Sequence, residues 1–219
     1  GRFNVECKLC GSGNILEVTK NEDTYYYCQC CNLIFVKENA IVSCEKEKQR
    51  YEDHDNTHDN KGYVNMFEKF ITEVIEPYQD EINSILEFGC GPGPVLADLL
   101  EEKGFEVDKY DPYFFPEKIY QGQQYDLITS TEVFEHLRNP YQIIKELLLH
   151  ITEGGYLAIM TSFHPGLNEF EDWWYPWDPT HITFYNLETF YWIAAEFDLK
   201  LVYEDGEKYC LYKKKEKPS

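Results

Sequence analysis

The sequence has few positive charges: 20 Lys and Arg stand against 40 Asp and Glu, so the formal net charge is −20. Long-range repulsion from a polyanion disfavours nucleic-acid binding as the main activity. The sequence also lacks any run approaching the ~20 apolar residues of a membrane span, and no basic-then-apolar signal sequence opens it. We therefore expect a cytoplasmic protein that does not enter a membrane.

Internal repeats and low-complexity tracts are also missing. The 219 residues are 43% hydrophobic and 16% aromatic, enough for one α/β domain with a small appendage. Periodicity predicts alternating strands and helices, and hence a mostly parallel sheet covered on both faces. We predict strands at Ile85–Phe88, Glu106–Tyr110, Asp126–Ser130, Tyr156–Met160, Leu199–Glu204 and Tyr209–Lys213. We predict helices from Tyr63 onwards, at Pro92–Lys103, at Pro140–His150 and near Leu187–Phe197.

Two cysteine pairs mark residues 1–43 as a small separate unit. Cys7-x-x-Cys10 and Cys28-x-x-Cys31 have the spacing of a four-thiolate zinc ribbon, and so short a unit needs such a staple to fold. Four thiolates leave no open position on the metal, so a structural role is expected. Disulfides are the alternative, and Cys30 could replace Cys28 or Cys31.

Residues 44–62 are highly polar and lack clear periodicity, which predicts a linker or a lid before a domain at 63–219. Tyr51 and His54 lie in this segment. If it folds over a bound cofactor, these two side chains reach the site; a mobile connector is the other interpretation.

In "SILEFGCGPGPVLADLL", from Ser84 to Leu100, a strand runs into Gly89, Gly91 and Gly93 before a helix. Such a turn lets a nucleotide approach the backbone. The sixth position of the dinucleotide fingerprint is Pro94 rather than glycine, so a less anionic ligand than a pyrophosphate is expected. Asp111, at the end of the next strand, could accept both hydroxyls of a ribose.

The motifs "ILEFGCGPG", "YDP", "YDLITSTEVFEHLRNP" and "GGYLAIMT" follow in this order. Together they resemble those of S-adenosylmethionine-dependent methyltransferases of the Rossmann-like class. The chain is similar to the ubiquinone-pathway O-methyltransferases and to bacterial relatives in which a cysteine ribbon precedes the domain. The resemblance covers nearly the whole chain, and it is specific for fold and cofactor but not for the methyl acceptor.

The resemblance implies a site residue by residue. The backbone of the three glycines would lie along the methionine part of the cofactor, with Glu87 near its amine and Asp111 on its ribose. The remaining cofactor contacts would be Pro112 and Tyr113 beside the adenine and Thr131 and Glu132 at the sulfonium. Only 14 residues separate Asp111 from Asp126, fewer than the family's pattern has. The sheet should therefore lack one edge strand and have the order 2-1-4-5-7-6 in the family's labels.

Methyl transfer from a sulfonium needs an aligned nucleophile and removal of its proton. His136, after the third strand, is the candidate base, and an orienting or structural role is the alternative. The segment 163–185 follows the fourth strand, where acceptor pockets of such sheets lie. Its aromatic residues could form an acceptor wall or only pack the insertion, and His181 could join them; the candidates are Trp173, Trp174 and Tyr175.

The favoured function is methylation of a small molecule, with a hydroxyl oxygen first. The first alternative is C-methylation of a sugar or quinol precursor. The second is methylation of a protein partner that the ribbon recruits. The expected cofactors are S-adenosylmethionine and one structural Zn²⁺.

Overall fold

The structure, a computed structural model, describes residues 5–54 and 56–216. Its strands are β1 Ile15–Lys20, β2 Asp23–Cys28, β3 Ile34–Val36, β4 Ser84–Phe88, β5 Glu106–Tyr110, β6 Tyr125–Thr131, β7 Ile151–Met160, β8 Thr183–Phe184, β9 Leu199–Glu204 and β10 Tyr209–Lys214. Its helices are α1 Cys44–Glu52, α2 Lys61–Phe70, α3 Val95–Glu102, α4 Pro140–Leu149, α5 Leu167–Phe170 and α6 Leu187–Glu196. In these ranges no helix combines the length and the apolar character needed to cross a bilayer.

Six strands form the central sheet in the order β5-β4-β6-β7-β10-β9. The four strands from β5 to β7 pair in parallel, and β10 and β9 close the sheet as an antiparallel hairpin. In the family's labels this order is 2-1-4-5-7-6. The predicted doubly wound, mostly parallel sheet is therefore confirmed, and in the described part of the chain no strand lies beyond β5.

The sheet is apolar on both faces, as a sheet covered by helices must be. Neighbouring residues of one strand point to opposite sides, so Ile85 and Leu86 belong to different hydrophobic clusters. One cluster packs against α2 and α3, and the other against α4 and α6. The carboxyl ends of β4, β5 and β6 consequently meet at one edge between the two layers of helices.

The predicted helices are present, with two differences in where they begin: α2 begins at Lys61, two residues before the predicted Tyr63, and α3 begins later than predicted. We predicted a helix from Pro92, but α3 begins at Val95. Pro94 has a non-helical backbone, and Pro92 and Gly93 remain in the turn that precedes it. Asn186 caps α6 by accepting from the backbone N–H of Thr189 at 3.1 Å.

Strands β1, β2 and β3 form a second sheet, which continues into β8 of the 163–185 segment. Ile34 pairs with Phe184 and Phe35 with Thr183. A third hydrophobic cluster joins the two parts, with Tyr25 and Ile34 on one side and Phe170 on the other. The sequence did not predict this union, because the paired segments lie far apart in the chain.

Residues 44–62 are not a plain connector. Ser43 accepts from the backbone N–H of Lys46, and α1 follows with Glu45 and Glu47 in its first turn. The weak hydrophobic periodicity hid this helix, since none of its residues is fully buried.

Candidate active site

A cavity of about 720 Å³ opens at the carboxyl ends of β4, β5 and β6. This is where ligands bind in open α/β sheets. It is lined by most of the predicted site residues, namely Glu87, Gly89, Gly91, Asp111, Pro112, Tyr113, Thr131, Glu132, His136, Trp174, Tyr175, His181, Tyr51 and His54. The fold thus brings residues from distant segments to one place.

The glycine turn forms one wall of the cavity. Gly89 has a φ of +85°, and a Cβ there would lie 2.2 Å from Cγ2 of Val133. The loop after β6 can therefore pack directly on the turn. At Gly91 a Cβ would meet nothing within 4 Å, so the backbone faces open space.

Glu87 lies beneath this turn with only 2% of its surface exposed. Its Oε2 atom is buried without a hydrogen-bond partner. Burial raises the pKa of Glu87 to about 8. An unpartnered buried oxygen at the cavity wall fits a ligand that brings a donor, such as an amine.

Asp111 follows β5 and orders the neighbouring backbone. Its Oδ2 accepts from the N–H of Gly91 at 2.9 Å, and its Oδ1 accepts from the N–H of Tyr113 at 2.9 Å. The carboxylate therefore joins the glycine turn to the loop that carries Pro112 and Tyr113. It retains lone pairs that could accept from ligand hydroxyls.

Glu132 continues from β6 in a left-handed conformation, with a φ of +56°. Such a backbone is uncommon for a residue other than glycine and is concentrated at functional sites. Its carboxylate opens onto the cavity, next to Thr131. The surrounding protein still desolvates the side chain and raises the pKa of Glu132.

His136 is fixed in one tautomer. Its Nδ1 lies 2.9 Å from the carbonyl oxygen of Thr180, which can only accept, so Nδ1–H donates and Nε2 keeps its lone pair. Burial, with a smaller contribution from His181, lowers the pKa of His136 to about 3. The imidazole is therefore neutral at physiological pH and can accept a proton or a hydrogen bond.

Glu135 is the main site residue to which sequence reasoning gave no definite role. It is 1% exposed, and its Oε1 lies 4.0 Å from Nε2 of His136. The Tyr175 hydroxyl donates to it at 2.6 Å and the Thr161 hydroxyl at 2.9 Å. Burial raises the pKa of Glu135 to about 8. The sequence shows that Glu135 belongs to the motif "EVFEH". It does not show that the side chain is buried, because the burial comes from a distant segment that packs over it.

The 163–185 segment supplies the opposite wall. His181 donates from Nδ1 to the carbonyl oxygen of Tyr175 at 2.8 Å, and its ring centroid lies 4.9 Å from that of His136. Trp174 and Trp177 line the cavity mouth with 57% and 70% of their surfaces exposed. Trp173 does not line the cavity; it packs on Phe170 in the third cluster.

Helix α1 lies over the cavity. Glu47 accepts from the Tyr51 hydroxyl at 2.9 Å and from the Tyr113 hydroxyl at 2.7 Å. The Tyr51 ring meets the His136 ring edge to face, with centroids 5.2 Å apart. His54 lines the cavity 4.0 Å from Asp178.

Gly93 does not line the cavity either. A Cβ at this position would lie 2.4 Å from the carbonyl oxygen of Asn56. The glycine therefore admits the backbone that follows α1. Sequence reasoning placed it on the ligand because it belongs to the same alternating run as Gly89 and Gly91.

The four predicted thiols of the ribbon lie together. Their sulfur atoms all lie within 4.8 Å of one another; the residues are Cys7, Cys10, Cys28 and Cys31. Cys7 is 3.5 Å from Cys31, and Cys10 is 3.4 Å from Cys28. A tetrahedral zinc with Zn–S of about 2.3 Å separates its sulfurs by roughly 3.8 Å. The cluster fits one zinc ion.

The alternatives for the cysteines are not supported. All eight lie in the described ranges and none is bridged, so the disulfide alternative is wrong. Cys30 is exposed and stands apart from the cluster.

Comparison with known proteins identifies the family and the fold. A family model described as a methyltransferase domain matches residues 54–204. No curated protein sequence matches the chain.

Among solved structures, the fold is similar to magnesium protoporphyrin IX methyltransferase ChlM from Synechocystis PCC 6803 with bound S-adenosylmethionine. The identity is 13% and the TM-score 0.53, over 78% of this chain and 92% of that one. N-methyltransferase NodS of Bradyrhizobium japonicum WM9, in complex with S-adenosylhomocysteine, has 15% identity and a TM-score of 0.51, over 77% and 97%. DesVI of Streptomyces venezuelae has 13% identity and a TM-score of 0.50, over 78% and 98%.

The family model covers more than half of the chain, and the solved structures share its sheet. The chain therefore belongs to the methyltransferase family and is an S-adenosylmethionine-dependent methyltransferase of Rossmann-like fold, preceded by a four-cysteine ribbon that fits zinc.

Proposed function

We propose that this enzyme methylates a hydroxyl oxygen of a small molecule, and that His136 removes the proton. The observation that carries this proposal is the neutral His136 ring, whose free Nε2 sits in a cavity between the glycine turn and an aromatic wall. The unit boundaries that accompany it are a ribbon at 1–43, a lid at 44–62 and the catalytic domain at 63–219.

The residues on the wall of the cavity that the glycine turn forms fit the cofactor. The unpartnered Glu87 oxygen suits its amine, the open backbone at Gly91 admits its chain, and Asp111 suits its ribose hydroxyls. We assign the adenine side to Pro112 and Tyr113 and the sulfonium side to Thr131 and Glu132. When bound, the cofactor supplies an electrophilic methyl carbon, and the protein must supply alignment and a proton acceptor.

His136 is weakly basic when its site is empty, because burial disfavours the imidazolium. Taking up a hydroxyl proton at Nε2 would place a positive charge 4.0 Å from Glu135. Burial favours the protonated form of Glu135, but a positive His136 at this distance would favour the ionised form, which the Tyr175 and Thr161 hydroxyls hold and which would stabilise that charge. The pair thus acts together, with Glu135 as the positioning and charge-balancing partner.

The acceptor would lie between His136 and the aromatic wall. Trp174 and Tyr175 offer flat apolar surface beside the polar ring of His181, a combination that suits a ring-bearing hydroxyl compound. Tyr51 of α1 and His54, two residues after its end, complete the acceptor side. The negative net charge favours a small molecule over a nucleic acid.

The proposal is tested with His136→Gln, which keeps a polar side chain of similar size. We expect turnover on a panel of phenols and catechols to fall by about 10²- to 10⁴-fold, the typical contribution of a general base. S-adenosylhomocysteine should bind with unchanged affinity in calorimetry. His150→Gln is the matched control, because His150 donates to the Gln123 carbonyl oxygen outside the cavity. Wild-type turnover on none of the hydroxyl probes, or full activity of His136→Gln, would contradict the proposal.

A further inference from the structure

Lys20 is a buried cation in the ribbon that the proposed reaction does not use. It is the last residue of β1 and is 2% exposed. Its Nζ donates to the carbonyl oxygens of Phe170 at 3.0 Å and Trp173 at 2.7 Å, and also to that of Glu171. All three ammonium donors thus meet backbone acceptors of the 163–185 segment.

The partners of Lys20 are carbonyl groups at and just beyond the end of a short helix, and the Phe170 carbonyl among them also accepts from the backbone N–H of Trp173 at 3.2 Å. Helix α5 is one turn long and ends at Phe170, and the last carbonyls of a helix have no intrahelical donor. The ammonium adds a donor to each of the three carbonyls from another part of the chain, and it also lies 5.6 Å from the centre of the Phe170 ring. The acidic side chains of Glu171 and Asp172 support the positive charge, although burial lowers the pKa of Lys20.

The segment that Lys20 holds leads directly to the acceptor wall. Trp173, whose carbonyl accepts from Lys20, is followed by Trp174 and Tyr175. The Tyr175 hydroxyl donates to Glu135 and its carbonyl accepts from His181. One short stretch therefore connects the ribbon with the groups that surround Nε2 of His136.

Two more contacts tie the ribbon to the same segment. Strand β3 pairs with β8, and Nε2–H of the buried His164 donates to the carbonyl oxygen of Asn32 at 2.7 Å. Asn32 lies next to Cys31 of the metal cluster. The glycine turn and Asp111 have no part in these contacts.

We propose that the ribbon is a positioning element for the acceptor wall, and that Lys20 is the residue through which it acts. The proposal rests on the acceptor site assigned above. Lys20 does not line the cavity, so it is a positioning residue and takes no part in the chemistry. Because its contacts are all on the acceptor side, its loss disturbs acceptor binding and leaves the cofactor side intact.

The test is Lys20→Met in the full, zinc-loaded chain, with Lys20→Arg as the conservative variant. Lys118→Met, at an exposed position away from the cavity, is the control. Amide hydrogen exchange is measured with S-adenosylhomocysteine bound. We expect faster exchange in Lys20→Met at residues 170–178 but not at 88–94, partial recovery in Lys20→Arg, and no change in Lys118→Met.

The second measurement is steady-state kinetics with catechol as the acceptor. We expect kcat/KM for catechol to fall roughly ten- to a hundredfold in Lys20→Met, with KM raised, because a misplacement of about 1 Å can cost about this much. The Kd for S-adenosylhomocysteine should stay within about twofold, since nothing on the cofactor side changes. Unchanged exchange at 170–178, or exchange that rises equally at 88–94, would overturn the proposal.

His164→Gln removes a different tie and covers the case in which Lys20→Met does not fold. The same rise in exchange at 170–178 is expected, and its absence counts against the ribbon as a positioning element. If wild-type protein methylates neither catechol nor any other hydroxyl probe, the proposed function fails. The exchange experiment still decides the role of Lys20 in that case, because it needs no acceptor.

Discussion

Single ionisable side chains in the cavity are buried from water, which disfavours their charged forms. Glu87 is the clearest case: it is buried, one of its oxygens lacks a partner, and its pKa is raised to about 8. The nearby charges work in both directions, since Lys109 lowers this pKa while Asp98 and Asp111 raise it. Burial is the largest cause, so the ligand-free protein keeps a carboxyl group whose ionisation opposes folding.

This predicts how stability depends on pH. The pKa of Glu87 is higher in the folded chain than the ordinary 4.5, so the folded state binds more protons between pH 4.5 and 8. The contribution of Glu87 to the free energy of unfolding is fully present below pH 4.5, where the carboxyl is protonated in both states. This contribution is lost as pH rises from 4.5 through 8. Glu87→Gln removes the titration. We expect the ligand-free variant to exceed wild type in unfolding free energy by a few kcal/mol at pH 8.5, and to match it near pH 4.5.

The measurement is urea unfolding of both proteins across this pH range. Glu117→Gln, exposed and outside the cavity, should follow wild type at every pH. A difference between Glu87→Gln and wild type that is the same at both ends of the range would show that Glu87 does not titrate as the structure indicates.

Sequence patterns predicted some of these side chains and missed others for a physical reason. The positions of Gly89, Asp111 and His136 follow from strand ends, which periodicity predicts. Glu135 and Lys20 are ordinary charged residues in sequence. What distinguishes them is the removal of water by segments distant along the chain, such as Tyr175 over Glu135. Local pattern carries no information on such burial.

Among the helices, α1 lies over the site without contributing a buried residue of its own. It is held by polar contacts instead. Glu47 accepts hydrogen bonds from the hydroxyls of Tyr51 and Tyr113. Arg50 donates to Asp178 at 3.2 Å. One contact reaches the cofactor side of the cavity and another reaches the acceptor side. Such a helix can open at modest cost, as a lid must.

We predict that Glu47→Ala loosens α1. The two tyrosine hydroxyls lose a charged acceptor, and each such hydrogen bond is worth about 1.5–3 kcal/mol. Amide exchange across residues 44–52 should become at least tenfold faster, and S-adenosylhomocysteine should dissociate faster in stopped-flow fluorescence. Lys46→Ala, whose side chain is exposed on the same helix, is the control. Equal exchange in the two variants would mean that other contacts hold the lid.

The elements show where sequence reasoning works and where it stops. The central strands were predicted because most of them are apolar runs bounded by turns, and their order followed from the resemblance and the short 112–125 segment. Helix α1 was missed because a polar helix held by hydroxyls has little hydrophobic periodicity. The pairing of β3 with β8 was missed because β8 has only two residues, too few to show an alternation.

The chain as a whole carries a net charge of −20 with a pI near 4.6. Local ion pairs exist, among them Lys213 with Glu81 at 2.8 Å and Lys103 with Glu76 at 2.9 Å. Exposed pairs of this kind contribute about 0–1 kcal/mol each. The excess of acidic groups acts over a longer range and opposes compaction. Salt weakens both the attraction within the local pairs and the repulsion between excess acidic groups. Whether added salt raises or lowers the stability therefore shows which effect dominates.

We expect repulsion to dominate, because acidic groups outnumber basic ones 40 to 20, so Lys and Arg are too few to give each carboxylate a cation of its own. The screening length falls from about 30 Å at 0.01 M salt to about 8 Å at 0.15 M. The Tm at pH 7 should rise by several degrees over this range, equally with NaCl and KCl, and sucrose at matched osmolality should not reproduce the rise. A falling Tm would show that the local pairs outweigh the net charge. Because the acidic excess is reduced as carboxylates are protonated, the gain from salt should also shrink as pH falls toward 4.6, which separates screening from any specific ion site.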